Sequence, residues 1–363
     1  MSPSLVYVAG AAVERLEAEA TLPAKFLRLL DRFALREMFG DRTVAIKMHL
    51  GGNLGYTTIH PFLARLLVGK VREAGGRPFI TDLSRDVPAA KERGYTEETV
   101  GAPIVGATGL NDGYHYNYPV SLATLQEIEV AGYIRDADAL INFAHVKGHG
   151  ACGYGGACKN LAMGCVTAKT RRDLHALEGG FRWEADLCTH CRMCIEACRY
   201  KANRFNENDE YEVFYHDCVY CQHCANVCPQ RAIKLDPEGF SRFQEGMALA
   251  TKTVLSVFPP ERVLHINVLT EITILCDCWG FSTPSLVPDI GIAASRDIVA
   301  LEQASLDLIK EENLIPGSLP KDRELVAGNH LFARIHAKDP FIQVAALERH
   351  GLGTRRYRLE EVR

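Results

Sequence analysis

Residues 188–198 read CTHCRMCIEAC and residues 218–228 read CVYCQHCANVC. Each is Cys-x-x-Cys-x-x-Cys-x-x-x-Cys, and nothing else in the chain restricts it so tightly. Three cysteines separated by two residues bring their thiolates to one point across tight turns. The fourth points to the neighbouring site, so a duplicated run holds two four-iron, four-sulfur clusters. The spacing assigns Cys188, Cys191, Cys194 and Cys228 to one cluster, and Cys218, Cys221, Cys224 and Cys198 to the other. Thiolate pairs at this spacing also suit zinc, as in two zinc ribbons. Repetition of the whole run, with Pro229 and Arg231-Ala232-Ile233 after the last cysteine, favours the clusters.

The pattern is that of a bacterial-type two-cluster ferredoxin module. It departs from that pattern at Arg199, where proline is usual. A charge and a donor near the second cluster tune its potential, so the two clusters are expected to differ, unless the change is a neutral surface one. The chain has 363 residues and thirteen cysteines, an odd number in a long sequence. No positively charged stretch precedes the apolar patch at residues 4–10. A secreted disulfide framework therefore does not fit, and a cytoplasmic location is expected. A net charge of −4 and the lack of any Lys/Arg run argue against nucleic acid. No eighteen apolar residues run together, so no membrane span is expected.

Outside the cysteine runs, short β-branched segments alternate with amphipathic ones. SLVYVAG, TVAIKMHL, RPFITDL, ADALINFAHV, VLHINVLTEITIL and IGIAAS read as strands, and HPFLARLLVGKVREAGG as a helix closed by Gly75-Gly76. The alternation predicts an α/β sandwich with a largely parallel sheet, interrupted by the ferredoxin-like α+β insertion. The expected division is residues 1–181 and 241–363 as two parts of one α/β domain, with residues 182–240 as the two-cluster domain.

The stretch HVKGHGACGYGGACKNLAMGC, residues 145–165, leaves several readings open. It lacks the phosphate-loop spacing, and no Gly-x-Gly-x-x-Gly follows a strand. A helix starting near Gly156, with Lys147 and Lys159 nearby, suits an anion or substrate site formed by Gly153, Gly155, Gly156, Lys159 and Asn160. Close backbone packing at the glycines is the alternative reading, and metal binding is the third. If ITILCDCWG is a strand, Cys276 and Cys278 share one face; Cys158 and Cys165 share a helix face. Cys165, Cys276 and Cys278, with Cys158 or Cys152, are thus a candidate third metal or cluster site, against the alternative of buried free cysteines. His49 and His145, at strand ends, join Lys147 and His149 as candidate pocket residues, with Lys147, His149 and His49 the candidate catalytic groups. Asp82 and Asp289 are further candidates.

In order, the 145–165 stretch, His175, the two cysteine runs, CDCWG and VPDIGIAASRDIVALEQASLDLI resemble the ferredoxin-bearing branch of the family called domain of unknown function 362. The matching positions are Lys147-Gly148-His149, Gly153-Tyr154-Gly155-Gly156, Lys159-Asn160 through Cys165, Cys276-Asp277-Cys278, and Pro288 onward. Glu302 stands where the family more often has aspartate, and Cys152 and Cys158 where small uncharged residues are expected. The HPFLARLLVGKVREAGG region has a weaker likeness to the lactate racemase fold.

These readings converge on an iron–sulfur oxidoreductase. Its clusters relay electrons between a ferredoxin-like or flavoprotein partner and a small-molecule substrate or cofactor at the strand ends. An electron carrier docking to a partner enzyme, or a factor that assembles metal sites, is the alternative.

Overall fold

The computed structural model describes residues 3–363 apart from Asn53, His216, 219–221, Pro237, Glu238 and Asp322. The expectation for Cys221 therefore lies outside the described residues. Eight strands form the main sheet: β1 Ser4–Gly10, β2 Thr43–Lys47, β3 Arg77–Asp82, β4 Ile104–Gly106, β5 Ala139–His145, β6 Val263–Leu269, β7 Gly291–Ser295 and β8 Tyr357–Glu361. Their order is β8-β1-β7-β6-β5-β2-β3-β4. All run parallel except β7, which is antiparallel to both β1 and β6. The sheet is thus α/β and largely parallel, as expected.

Every residue of β5 is buried, as a strand covered on both faces requires. Successive side chains alternate between two cores. Ala139, Ile141 and Phe143 pack with Phe26 and Leu29 of α1 (Leu22–Leu30) and Leu63 and Leu67 of α2 (Pro61–Glu73). Leu140 and Ala144 face the other way. They join the core containing Leu161 of α3 (Ala157–Gly164), Phe243 of α5 (Gly239–Leu255), Val299 of α6 (Ile298–Leu308) and Val344 of α7 (Phe341–Arg349). Between α3 and α5 runs α4, Ala168–His175. α2 starts where the His60 side chain accepts from Phe62 N and ends before Gly75, whose φ of +88° reverses the chain.

The strand expected over VLHINVLTEITIL is shorter than its apolar pattern. It leaves the sheet after Leu269, because Glu271 adopts a φ of +48° and its N–H donates to Asp289 Oδ1 at 2.7 Å. Cys276 and Cys278 consequently lie not on a strand but on and beside one helical turn, Asp277–Trp279.

Residues 181–235 stand outside the main sheet. Phe181–Trp183 pairs antiparallel with Ile233–Leu235, and Asn203–Phe205 with Tyr211–Val213. The two halves repeat at a spacing of thirty residues: Arg192 and Gln222 both cap short helices with φ of 64°, and Lys201 and Arg231 have φ of 52° and 51°. The buried centre is small: Cys194, Tyr211, Cys224 and Ile233, flanked by Phe181, Trp183 and Phe205. A unit this size needs a staple beyond its apolar core.

Under the sheet, the Glu302 carboxylate of α6 accepts hydrogen bonds from the Tyr154 hydroxyl and the Cys158 N–H. Burial raises its pKa to about 7 despite these donors. A carboxyl raised from 4.5 in this way binds a proton in the folded chain that the unfolded chain has lost. Its contribution is fully present below pH 4.5 and is lost as pH rises through 7. Comparing urea unfolding of Glu302→Gln and the parent between pH 5 and pH 8 should show the parent losing roughly 3 kcal/mol more than the variant.

Candidate functional site

The sheet order reverses between β2 and β5: β3 and β4 extend one way from β2, and β6 lies beyond β5. In such sheets the crevice outside the carboxyl ends at the reversal is the binding place. Lys47, Asp82 and His145 are the last residues of β2, β3 and β5.

Two buried carboxylates organise this edge. Asp82 pairs with Lys47 Nζ at 2.9 Å and His49 Nδ1 at 2.9 Å, and accepts from Leu50 N at 2.8 Å. Asp277 pairs with Lys147 Nζ at 2.7 Å and His145 Nδ1 at 3.0 Å. Burial alone would raise both carboxyls. The Lys47 and His49 charges at Asp82, and His145 and Lys147 at Asp277, more than reverse this and hold both below the usual carboxylate range. Lys47 Nζ also donates to Asn160 Oδ1 at 2.9 Å, and Asn160 Nδ2 donates to Asn142 Oδ1 at 2.7 Å. The start of α3 is thereby tied to β2 and β5.

A cavity of about 640 Å³ opens between these pairs. His49, His149, Lys159, Asn160, Cys276 and Cys278 line it. His49 Nε2 has no hydrogen-bond partner among the described residues, while Nδ1 is held by Asp82. Arg171 and Arg172 of α4 add positive charge to the wall, and Phe214 brings residues 181–235 into it. Phe214 O accepts from Cys218 N at 3.2 Å, and its ring meets the Trp279 ring edge-on at 5.7 Å.

Cys276 and Cys278 are joined as a disulfide. Lys159 Nζ lies 3.6 Å from Cys276 Sγ and 3.8 Å from Cys278 Sγ. Burial lowers the Lys159 ammonium pKa. His149 brings a ring nitrogen within 4.8 Å of both sulfurs. Its Nδ1 accepts from Ala151 N at 3.2 Å, which in the neutral ring leaves the proton on Nε2.

The expected site residues divide into three groups. His49, His145, His149, Gly155, Gly156, Lys159 and Asn160 line the cavity, as do Asp82, Cys276 and Cys278. Lys147 does not. It is buried behind Asp277, donates to Thr57 Oγ1 at 2.6 Å, and belongs to the frame of the site. Gly153 also lies off the cavity wall; its φ is +78° and a Cβ there would meet Lys338 O at 2.4 Å, so the packing reading applies. Gly156 answers to both readings, because a Cβ would strike the Tyr154 hydroxyl at 2.3 Å.

Cys158 and Cys165 are corrected from the expected third-site set. Cys158 contacts Thr251 Oγ1 at 3.5 Å beneath the sheet, and Cys165 closes α3. The metal-compatible trio among the described residues is His149, Cys276 and Cys278. Cys152, the alternative partner, donates to Tyr154 O at 3.1 Å. Asp289 serves the turn at Glu271. Sequence reasoning missed Asp277, although it stands between the two cysteines singled out, and missed Asp86, which lies within 4.8 Å of His49 and Asp82.

In residues 181–235 the described cysteines fall into two sets. One small cavity is lined by Cys188, Cys191, Cys194 and Cys228, and a second by Cys198, Cys218 and Cys224. Backbone N–H groups reach the sulfurs: His190 N to Cys188 at 3.4 Å, Ala202 N to Cys198 at 3.2 Å and Ala232 N to Cys228 at 3.3 Å. Such donors stabilise thiolates and suit iron–sulfur ligation. Arg199 turns away to Glu324 at 3.0 Å, making a partly exposed ion pair.

Removing one partner of a buried pair strands the other charge. Asp82→Asn should therefore lower unfolding stability by about 3 kcal/mol in urea titrations. Asp86→Asn, whose carboxyl is raised by burial and by Asp82, should not.

The sequence pattern of the family described as domain of unknown function (DUF362) matches residues 44–307. The chain is 29% identical over 87 residues to NADH-quinone oxidoreductase subunit I of Pelobacter propionicus, covering 20% of this chain and 47% of that protein. It is 34% identical over 50 residues to a ferredoxin of Pyrobaculum islandicum, covering 14% of this chain and 47% of that protein. The chain thus spans about half the length of these curated relatives. Among solved structures, the lactate racemase apoprotein of Thermoanaerobacterium thermosaccharolyticum matches at 12% identity and a TM-score of 0.35, over 74% of this chain and 51% of that one. With its pattern running from β2 through α6, the chain belongs to the DUF362 family.

Proposed function

We propose that this protein is an iron–sulfur oxidoreductase in which residues 182–240 form an inserted two-cluster domain serving a substrate site in the α/β body. The observation that carries the reading is Phe214. Its carbonyl is bonded to the Cys218 N–H, and its side chain forms part of the cavity wall. The cysteine-bearing unit and the strand-end cavity therefore share a surface. Likeness to a ferredoxin and to a quinone oxidoreductase subunit supports an iron–sulfur electron-transfer role.

Two four-iron clusters suit the two sets of cysteines, and when bound they supply one-electron transfer at low potential. The chain's own residues bind and protonate. Lys159, Arg171 and Arg172 attract an anionic small molecule, and Asn160 at the start of α3 orients it. The Asp82–His49 pair fixes the tautomer that leaves His49 Nε2 to exchange a proton at the cavity wall. An electron carrier without chemistry of its own would have no use for a cavity of about 640 Å³ lined in this way. The electron partner is a ferredoxin-like or flavin-bearing protein.

Protein purified without oxygen should contain about eight irons and show a broad visible band that bleaches with dithionite. Zinc in place of iron, with no such band, would refute the reading. The reduced protein, mixed in turn with pools of small organic anions, should be reoxidised by at least one pool. Lys159→Ala should slow that reoxidation by about tenfold and leave the cluster spectrum unchanged. Reoxidation by redox proteins alone would favour the carrier.

A further inference from the structure

Five cysteines lie outside the two cluster-spacing runs, and the structure treats them in two ways. Cys152, Cys158 and Cys165 are buried. Burial raises the thiols of Cys152 and Cys165 to about 12 and that of Cys158 well above its ordinary value. Thiols of this kind are inert. Cys276, although buried, and the exposed Cys278 are placed differently. They are joined to each other, they line the large cavity, the Lys159 ammonium faces both sulfurs, and His149 stands within 4.8 Å. A cation beside a thiol favours the thiolate, and a thiolate facing open space is a reactive one.

We propose that Cys276 and Cys278 are a redox-active pair, whose disulfide takes two electrons by way of the clusters and becomes a dithiol facing the cavity. This rests on the cluster reading above. The step balances. A low-potential one-electron donor, a ferredoxin or flavodoxin, would supply the electrons, and clusters held by the two cysteine sets would each pass on one. The Cys276–Cys278 bond breaks, and two protons, delivered through His149 and Lys159, make two thiols. Two single-electron carriers thus match one two-electron acceptor.

The route is in place. Trp279 adjoins Cys278 in sequence and donates its backbone N–H to Cys276 O at 3.2 Å. The Trp279 ring meets Phe214, whose carbonyl holds the N–H of the cluster-run residue Cys218. His149 has its Nδ1 occupied by the Ala151 N–H, so its Nε2–H is a proton donor rather than a metal ligand. That geometry favours the dithiol over a metal held by the same trio.

The test uses the full chain carrying its clusters, first brought to the oxidised state with a mild oxidant. A viologen radical is added without oxygen. Cluster bleaching is read by absorbance, and the peptide containing residues 276 and 278 is read by mass after thiol alkylation. The expected result is an unalkylated peptide before reduction and about two alkyl groups after it. Protein stripped of iron with a chelator should keep the disulfide under the same reductant. Lys159→Met should move the alkylation-rate pH profile upward by about one unit.

Clusters that bleach beside a pair that stays oxidised would overturn the redox pair and leave the cluster reading standing. Full alkylation before any reduction would also overturn it. So would a metal ion retained in the parent protein and lost in Cys276→Ser/Cys278→Ser. Absence of iron and of the visible band would instead overturn the cluster reading, and the relay with it.

Discussion

Two ammonium groups in the interior, Lys47 and Lys147, are tolerable only because Asp82 and Asp277 stand beside them. Each carboxylate also holds a histidine, so the same interaction that neutralises a buried charge fixes a ring at the cavity edge. Buried ion pairs contribute little net stability, since desolvation consumes most of the Coulombic gain. What they supply here is position. Asp82 links the ends of β2 and β3, and Asp277 links the loop after β6 to the segment after β5. Without these pairs the carboxyl ends of the strands would carry unpaired charges and no defined pocket.

Much of this was legible before the structure. The spacing of the cysteines agrees with which of the seven described sulfurs line one cavity, because tight turns leave a Cys-x-x-Cys segment few ways to fold. Buried strands such as Ala139–His145 announce themselves by a mostly apolar run, here broken by Asn142. The helix beginning at Ala157 follows from glycines preceding an apolar repeat. Lys147 was legible as important but not in role, since no local pattern tells a cation facing a cavity from one buried behind a carboxylate. The partner that decides it, Asp277, is 130 residues away. The CDC segment misled for a related reason. Alternating apolar residues through Ile272 and Ile274 resemble a strand, yet the turn at Glu271 is set by Asp289 from a later part of the chain.

The glycine-rich stretch shows how one segment serves two demands. Gly153 and Gly156 are required because Lys338 O and the Tyr154 hydroxyl occupy the space a side chain would take. That crowding brings Tyr154 onto Glu302 and sets the first turn of α3 against the sheet. Lys159 and Asn160, in that turn, reach the cavity as a result. Packing and binding are here successive consequences of the same small residues.

Lys338 carries a last consequence. Its buried ammonium, pushed down to about 8 by desolvation, donates to the carbonyls of Tyr215 and Cys218, so part of the α/β body is solvated by the cysteine-bearing unit. When that unit loses its shape, Lys338 loses its acceptors and the body inherits an unshielded cation. The stability of the α/β body is in this way tied to the shape of the cysteine-bearing unit.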